Sequence, residues 1–413
     1  MALTVSVDEI VHGSRNPLLA VRPHWRRIRL REIASVLNGF AFKSAQFTKG
    51  EGMPLIRIRD VGSDSTDTNY VGEFDVRYIV EPGDLLIGMD GDFNCARWRG
   101  PRGLLNQRVC KVTLHSDQYR SRFLDYALPG YLKAINDATS SVTVKHLSSR
   151  TVEDIPLPFP SPDEQDEIVT ELEKQFSRLD EAVANLKRVS TRLAAYRERS
   201  LDDPFSAEPT ATLGELISEG PQNGLYLPKD AYGSGTPIVR IDDYQTDWIR
   251  PVGELRRVRA TESQVSTWAL QPGDLLVNRV NSMSHLGKCI VVPNALAGAL
   301  YESNMMRFRL APGVLPRYVE LYLGSKIGKR RLTANAKWAV NQASINQKDV
   351  LATEIPLPSP EHQAQIVAEL DRRLSIVREV MAEVDANLAR SLGLRRSVLA
   401  RAFALSRALE ALA

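Results

Sequence analysis

The sequence repeats itself. The stretch from Ser161 to Phe205 aligns without a gap with Ser359 to Phe403, at a constant offset of 198. Just upstream, "DIPLPFPSP" (154 to 162) is echoed by "EIPLPSP" (354 to 360). The likeness returns where each half begins. Asn38, Gly39, Phe47, Pro54, Arg57 and Asp60 match Asn223, Gly224, Tyr232, Pro237, Arg240 and Asp243. "EPGDLLIG" (81 to 88) then matches "QPGDLLVN" (271 to 278). Self-similarity at one long separation means two copies of one unit. Between these marks the halves diverge: "MDGDFNCARWRGPRGLLNQRV" and "RVNSMSHLGKCIVVPNALAGAL" share almost nothing. A duplicated frame around unlike contents suits one operation performed on two different targets.

Local chemistry suggests what each copy contains. "PLIRIRDV" and "PIVRIDDY" alternate apolar and polar residues, the pattern of half-buried strands. The Pro-Gly pairs of "EPGDLLIG" and "QPGDLLVN" make turns that run into strands. No Gly-rich run or Lys-Ser/Thr follows them, so they read as turns and not phosphate loops. In "SPDEQDEIV", Ser161 caps a helix, Pro162 suits its first turn, and the acidic residues suit its positive end. Ile168, Leu172, Phe176, Leu179, Val183 and Leu186 then recur at spacings of 3 and 4. Ile366, Leu370, Leu374, Val377, Met381 and Val384 hold the same register in the second copy. Each set is a coiled-coil seam. Two equal stripes in one chain most simply bury against each other, antiparallel because a whole domain intervenes. On that reading Ile168, Leu172, Ile366 and Leu370, at the helix starts, belong to one mutual seam. The alternative is that both seams face partner chains. Pro204 and the acidic residues of "LDDPFSAE" end the first helix earlier than its copy.

Composition excludes several classes. No run of eighteen apolar residues exists to span a membrane, and "MALTVSVDEIVHGSRNPLLA" does not read as a signal peptide. Cys95, Cys110 and Cys289 are odd in number and unclustered, which fits free thiols in a reducing compartment. The six histidines form no pair at metal-ligand spacing, so no metal is expected. Neither a Walker loop nor a Rossmann glycine fingerprint is present, and an Asn/Asp-Pro-Pro-aromatic motif is missing. "ELEK" (171 to 174) has the acid-x-lysine form of some nucleases, but it lies on the seam helix and reads as surface charge. Net charge is only +3, yet arginine outnumbers lysine 40 to 13. Arginine grips phosphate bidentately and reaches guanine edges; a GC-rich genome gives the same bias. Charge is also local. From Pro316 to Lys348 there are seven Lys or Arg and one acidic residue, Glu320, and five arginines fall between Arg22 and Arg31.

The doubled "IPLP…SP-x-x-Q-x-x-IV-x-EL" followed by a long helix resembles the conserved regions of type I restriction–modification specificity subunits. "INQKDVLATEIPLP" (345 to 358) and "W-x-x-x-x-L-x-E-I" from Trp25 add to the resemblance, which covers nearly the whole chain. It implies an α+β fold with a pseudo-twofold internal repeat. An N-terminal segment (1–24) would precede a first target-recognition domain (25–152) and a first spacer helix (153–205). A second target-recognition domain (206–352) and a second spacer helix (353–413) would follow, with the helices paired as an antiparallel coiled coil. The resemblance further implies a cytoplasmic, non-catalytic subunit of a bacterial or archaeal phage-defence system. Such a subunit reads a bipartite site in double-stranded DNA, one half per domain, with the helices setting the spacing. It docks two adenine-N6 methyltransferase subunits and translocase–nuclease subunits. S-adenosylmethionine, ATP and Mg are used by those partners and not by this chain. A methylation-only or phage-defence relative on the same scaffold, or a coiled-coil scaffold without nucleic acid, are the alternatives.

Candidate contacts follow from charge and divergence. In the second domain, Lys326, Lys329, Arg330, Arg331 and Lys337 are candidates for phosphate. Asn278, Arg279, Asn281 and Lys288, beside the "PGDLL" strand, are candidates for base or groove contacts. Their first-domain counterparts are Arg97, Arg99, Arg102, Gln107 and Arg108. Arg57 and Arg240, shared by both halves, read as structural or phosphate-contacting, because bases are read by side chains unique to each half. For the helix seam and partner docking the candidates are Gln165, Ile168, Leu172, Phe176 and Leu179, with Gln363, Ile366, Leu370, Leu374 and Val377.

Overall fold

The computed structural model describes residues 5–14, 16–139, 145–245, 248–282, 285–339 and 342–404. The chain forms two compact units, residues 1–185 with 388–413, and residues 186–387. Each long helix, Pro162–Asp202 and Pro360–Ala404, is therefore shared between the units. The first, of 41 residues, ends four positions short of its 45-residue counterpart and passes into the 3-10 turn Asp203–Phe205, where Pro204 cannot continue the hydrogen-bond ladder.

In the first unit, the strand Arg26–Arg29 pairs antiparallel with Pro156–Phe159, the "PLPF" of the repeated motif. A two-stranded sheet is all edge, so both prolines fit without breaking a ladder. A four-stranded antiparallel sheet follows in the order Ala34–Asn38, Val109–Leu114, Leu85–Gly88 and Cys95–Arg97. A further sheet joins Met53–Ile56 to Gly103–Leu105 in parallel. The helix Ser121–Ala138 buries Phe123, Ala127, Leu128, Tyr131 and Ile135 at helical spacing. The capped helix Val7–Gly13 puts Val7, Ile10 and Val11 into the unit's main core.

The second unit repeats this plan. Ala211–Thr212 pairs with Glu354–Ile355. Its four-stranded sheet runs Ile217–Asn223, Met305–Leu310, Leu275–Asn278 and Cys289–Val291, the same order as in the first unit. Tyr232–Val239 pairs in parallel with Leu300–Tyr301. Strands Cys95–Arg97 and Cys289–Val291 lie in the stretches whose sequences share almost nothing, yet they take the same place. The helix Ser121–Ala138 of the first unit is here replaced by two, Pro316–Gly324 and Lys326–Leu332, joined at Ser325.

The shared motifs are structural devices. The Pro-Gly turns place Gly83 and Gly273 at φ of +100° and +88°, and Asp84 and Asp274 close them by accepting from the N–H of Glu81 and Gln271. Each aspartate then meets a cation across the sheet, Lys111 at 3.2 Å and Arg307 at 3.5 Å. Asp60 and Asp243 likewise accept from the N–H of Arg57 and Arg240.

The helices run antiparallel within each unit. In the first, Val398, Leu399, Ala402 and Phe403 pack into the core that holds Ile168, Leu172 and Phe176, and Arg395 pairs with Asp180 at 2.6 Å. In the second, Leu201 and Phe205 share a core with Leu370 and Leu374. This corrects the expected mutual seam at the helix starts: Leu172 and Leu370 lie in different cores, as do Ile168 and Ile366. An antiparallel pair brings each start against the other helix's end.

Candidate partner-docking frame and nucleic-acid interface

The two helix starts are fastened to their own units in matching ways. Gln165 and Gln363, candidates for the helix seam and partner docking, are buried. Gln165 accepts from the N–H of Arg120 at 2.7 Å and donates to the carbonyls of Gln118 and Pro160. Gln363 accepts from the N–H of Leu315 at 2.9 Å and donates to Pro358. Arg120 and Leu315 are the N-caps of equivalent helices, so each glutamine satisfies a donor at a helix start. Two residues after each N-cap, Arg122 pairs with Glu173 and Arg317 with Asp371, both at 2.7 Å. Among the other seam candidates, Phe176, Leu374 and Val377 are buried, while Leu179 is half-buried.

The first helix has an extra clamp. Glu164 closes a capping box on Ser161 and also accepts from His24 at 2.9 Å and Trp25 at 3.3 Å. The His24 hydrogen bond leads in holding its carboxyl down, from an ordinary 4.5 to about 2. A depressed carboxylate contributes stability that is present above 4.5 and lost as pH falls through 2. Glu164→Gln is therefore expected to lower the melting temperature at pH 6. The gap from wild type closes toward pH 2; melting curves across that range check it, and a constant gap would count against the clamp.

Most of the candidate DNA-contacting side chains are already occupied. Arg97 donates to Asp125, Ser121 and the carbonyl of Gly83. Arg57 pairs with Asp67, Arg102 with Glu81 and Arg108 with Asp90. Arg240 is bound to the buried Glu302 at 2.8 Å, which gives it a structural role. Asn278 is fully buried and accepts from the Tyr244 hydroxyl at 2.7 Å, so it reads no base. Lys288 folds back over the Tyr244 ring and donates to the carbonyls of Ile241 and Tyr244; burial pushes its pKa down. Arg279 donates to the carbonyl of Ser303, and Asn281 is half-buried. Lys326 pairs with Glu198 at 2.7 Å, Arg331 donates to the Tyr322 hydroxyl, and Lys329 is half-buried, with burial lowering its pKa. Arg99, Gln107, Arg330 and Lys337 remain exposed, and the three cations among them have no ion-pair partner among the described residues.

Exposed aromatics were missed by sequence reasoning. Tyr226 is 78% exposed, Trp338 72%, and Trp248 and Phe40 about half. For Trp338 a signal existed: it directly follows Lys337, at the end of a segment with five cations and no carboxylate. Burial pushes the Cys110 thiol up to about 12 and raises Cys95 and Cys289 as well, which disfavours the reactive thiolate. Among the described residues no group of His, Cys, Asp and Glu could hold a metal, and no helix is long and apolar enough to cross a membrane.

Residues 23–188 match the family model described as the type I restriction modification DNA specificity domain. Over 98% of its length the chain is 32% identical to the Escherichia coli type I restriction enzyme EcoBI specificity subunit, covering 90% of that protein. The chain belongs to the type I restriction–modification specificity subunits. The EcoKI specificity subunit of Escherichia coli K12 is 23% identical over 92% of the chain and 88% of its own. Among solved structures, a chain from a study of complex assembly and conformational transition of the type I R-M system superposes with a TM-score of 0.72. It is 18% identical, and the match covers 93% of this chain and 99% of that one. The HsdS subunit from Thermoanaerobacter tengcongensis, also 18% identical, gives 0.53, covering 93% and 97%. At that identity the likeness concerns the fold. In this specificity subunit the family match begins just before Trp25 and runs to within the first long helix, and the second unit carries the same sheet order.

Proposed function

We propose that this specificity subunit is non-catalytic and reads a bipartite site in double-stranded DNA, one half-site per unit. It holds two adenine-N6 methyltransferase subunits on its repeated frame, and translocase–nuclease subunits join them. S-adenosylmethionine, ATP and Mg are the partners' requirements; its place is the cytoplasm. The observation that carries this reading is the repetition of frame contacts around unlike contents. The pairs Arg122–Glu173 and Arg317–Asp371 recur at equivalent positions, and so do the buried Gln165 and Gln363. By contrast the strand position of Arg97, opposite Leu85, is taken in the second unit by Val291, opposite Leu275. Repeated contacts suit two copies of one partner, and unlike side chains suit two different half-sites.

The test is a module exchange. Residues 25–150 are replaced by the matching domain of another specificity subunit, and methylated adenines are mapped in cells carrying the whole complex. One half of the methylated motif is expected to change while the other stays. Both halves changing together would exclude independent reading. A motif unaffected by the exchange would favour a scaffold without a DNA-reading role.

A further inference from the structure

We propose that Trp338 is a specificity-determining residue of the second unit, wedging against a base step of its half-site in duplex DNA. The proposal rests on the DNA-reading function above and adds to it a residue and a mode of contact. Trp338 lies in the strand Lys337–Ala339, which pairs antiparallel with Gln342–Ser344; that strand pairs in turn with Val280–Asn281. The register puts Asn281, Ala343 and Trp338 in one cross-strand row, so their side chains share a face. Ala343 is buried, Asn281 half-buried and Trp338 72% exposed. The buried member of the row lies on the middle strand, and Trp338, on the outer strand, is left in solvent.

Leaving a side chain of this size in water forgoes a large burial gain. Its surroundings select the occupant. The segment from Lys326 to Lys337 carries five cations and no carboxylate, and Arg330 and Lys337 are exposed. A basic surface attracts the phosphate backbone. A large apolar side chain projecting from such a surface is what partial unstacking of a base step requires. In the first unit the stretch at the matching place, residues 140–144, reads "SSVTV" and carries no aromatic residue; it lies outside the described residues. The wedge therefore belongs to one half-site only.

The experiment uses the reconstituted methyltransferase complex and duplex DNA with 2-aminopurine placed in turn through both halves of the methylated motif. With wild type, fluorescence is expected to rise at one step of the second half-site. Trp338→Ala should abolish that rise and weaken binding to the specific site about tenfold or more, the scale of one base–aromatic stack. Trp338→Phe should restore most of both. Melting temperature and assembly with the methyltransferase subunits should not change, since the ring is largely in solvent. Unchanged affinity and unchanged fluorescence in Trp338→Ala would overturn the wedge alone. Loss of methyltransferase assembly would also overturn it, by making Trp338 a protein anchor. A wild-type complex with no preference for its motif would overturn the DNA-reading function, and the wedge with it.

Discussion

Gly224→Ala is expected to prevent the second unit from folding. A Cβ at this position would sit 2.1 Å from the carbonyl oxygen of Glu302 and 2.7 Å from that of Tyr301. Both obstacles are backbone. They belong to the segment that bridges Leu225 to Glu302 and hydrogen-bonds Leu225 to Tyr301, so neither can rotate aside. Relief requires prising that segment away and losing its hydrogen bonds. Overpacking costs typically 1–3 kcal/mol where side chains yield; here the cost is on the order of 4 kcal/mol or more, at the exceptional end for single substitutions. The reason is crowding and not backbone conformation, since Gly224 does not have a positive φ. Its counterpart Gly39 is held the same way, 2.0 Å from the carbonyl oxygen of Asn106. Gly253→Ala, where nothing lies within 4 Å, serves as the control. Limited proteolysis and melting curves of the Gly224→Ala and Gly253→Ala variants check the expectation. A Gly224→Ala chain that melts like wild type would show that the two segments separate freely.

Phe403→Ala is expected to loosen the first unit although residue 403 lies near the far end of the sequence. Its ring is 1% exposed and sits 5.3 Å from that of Phe123, in the core that also holds Leu172 and Phe176. Truncating a buried Phe to Ala costs about 3–5 kcal/mol. Phe205 is its repeat partner: fully buried, 5.4 Å from Tyr318, in the core of the second unit. Phe205→Ala should therefore loosen the other unit by a similar amount. Hydrogen exchange separates the cases. Phe403→Ala should expose the helix Ser121–Ala138, and Phe205→Ala the helix Pro316–Gly324. Uniform exposure of both helices by either variant would show that the units unfold as one.

The repeat, the helix starts and the closing turns were legible in the sequence because each is set by neighbours along the chain. A cap, a Pro-Gly turn or an i, i+3/i+4 stripe carries its own physics within a few residues, and Asp84 and Asp274 act where the "PGD" motif places them. Even the early end of the first helix could be read from Pro204. What only the tertiary structure decided is which of these features meet. A stripe says that Leu172 and Leu370 are buried, but not that different cores bury them. A glutamine after a helix start looks like a surface group until the chain delivers the N-caps of Arg120 and Leu315 to Gln165 and Gln363. Charge composition marks Arg97, Lys288 and Lys326 as cations, while their partners Asp125, Tyr244 and Glu198 arrive from 28, 44 and 128 residues away. A long polar side chain can reach phosphate or its own fold equally well. The choice is made by which acceptors folding brings within about 3 Å, and sequence order does not encode that distance. Trp338 is the reverse case: its composition predicts burial, and only the edge position of its strand leaves it in solvent.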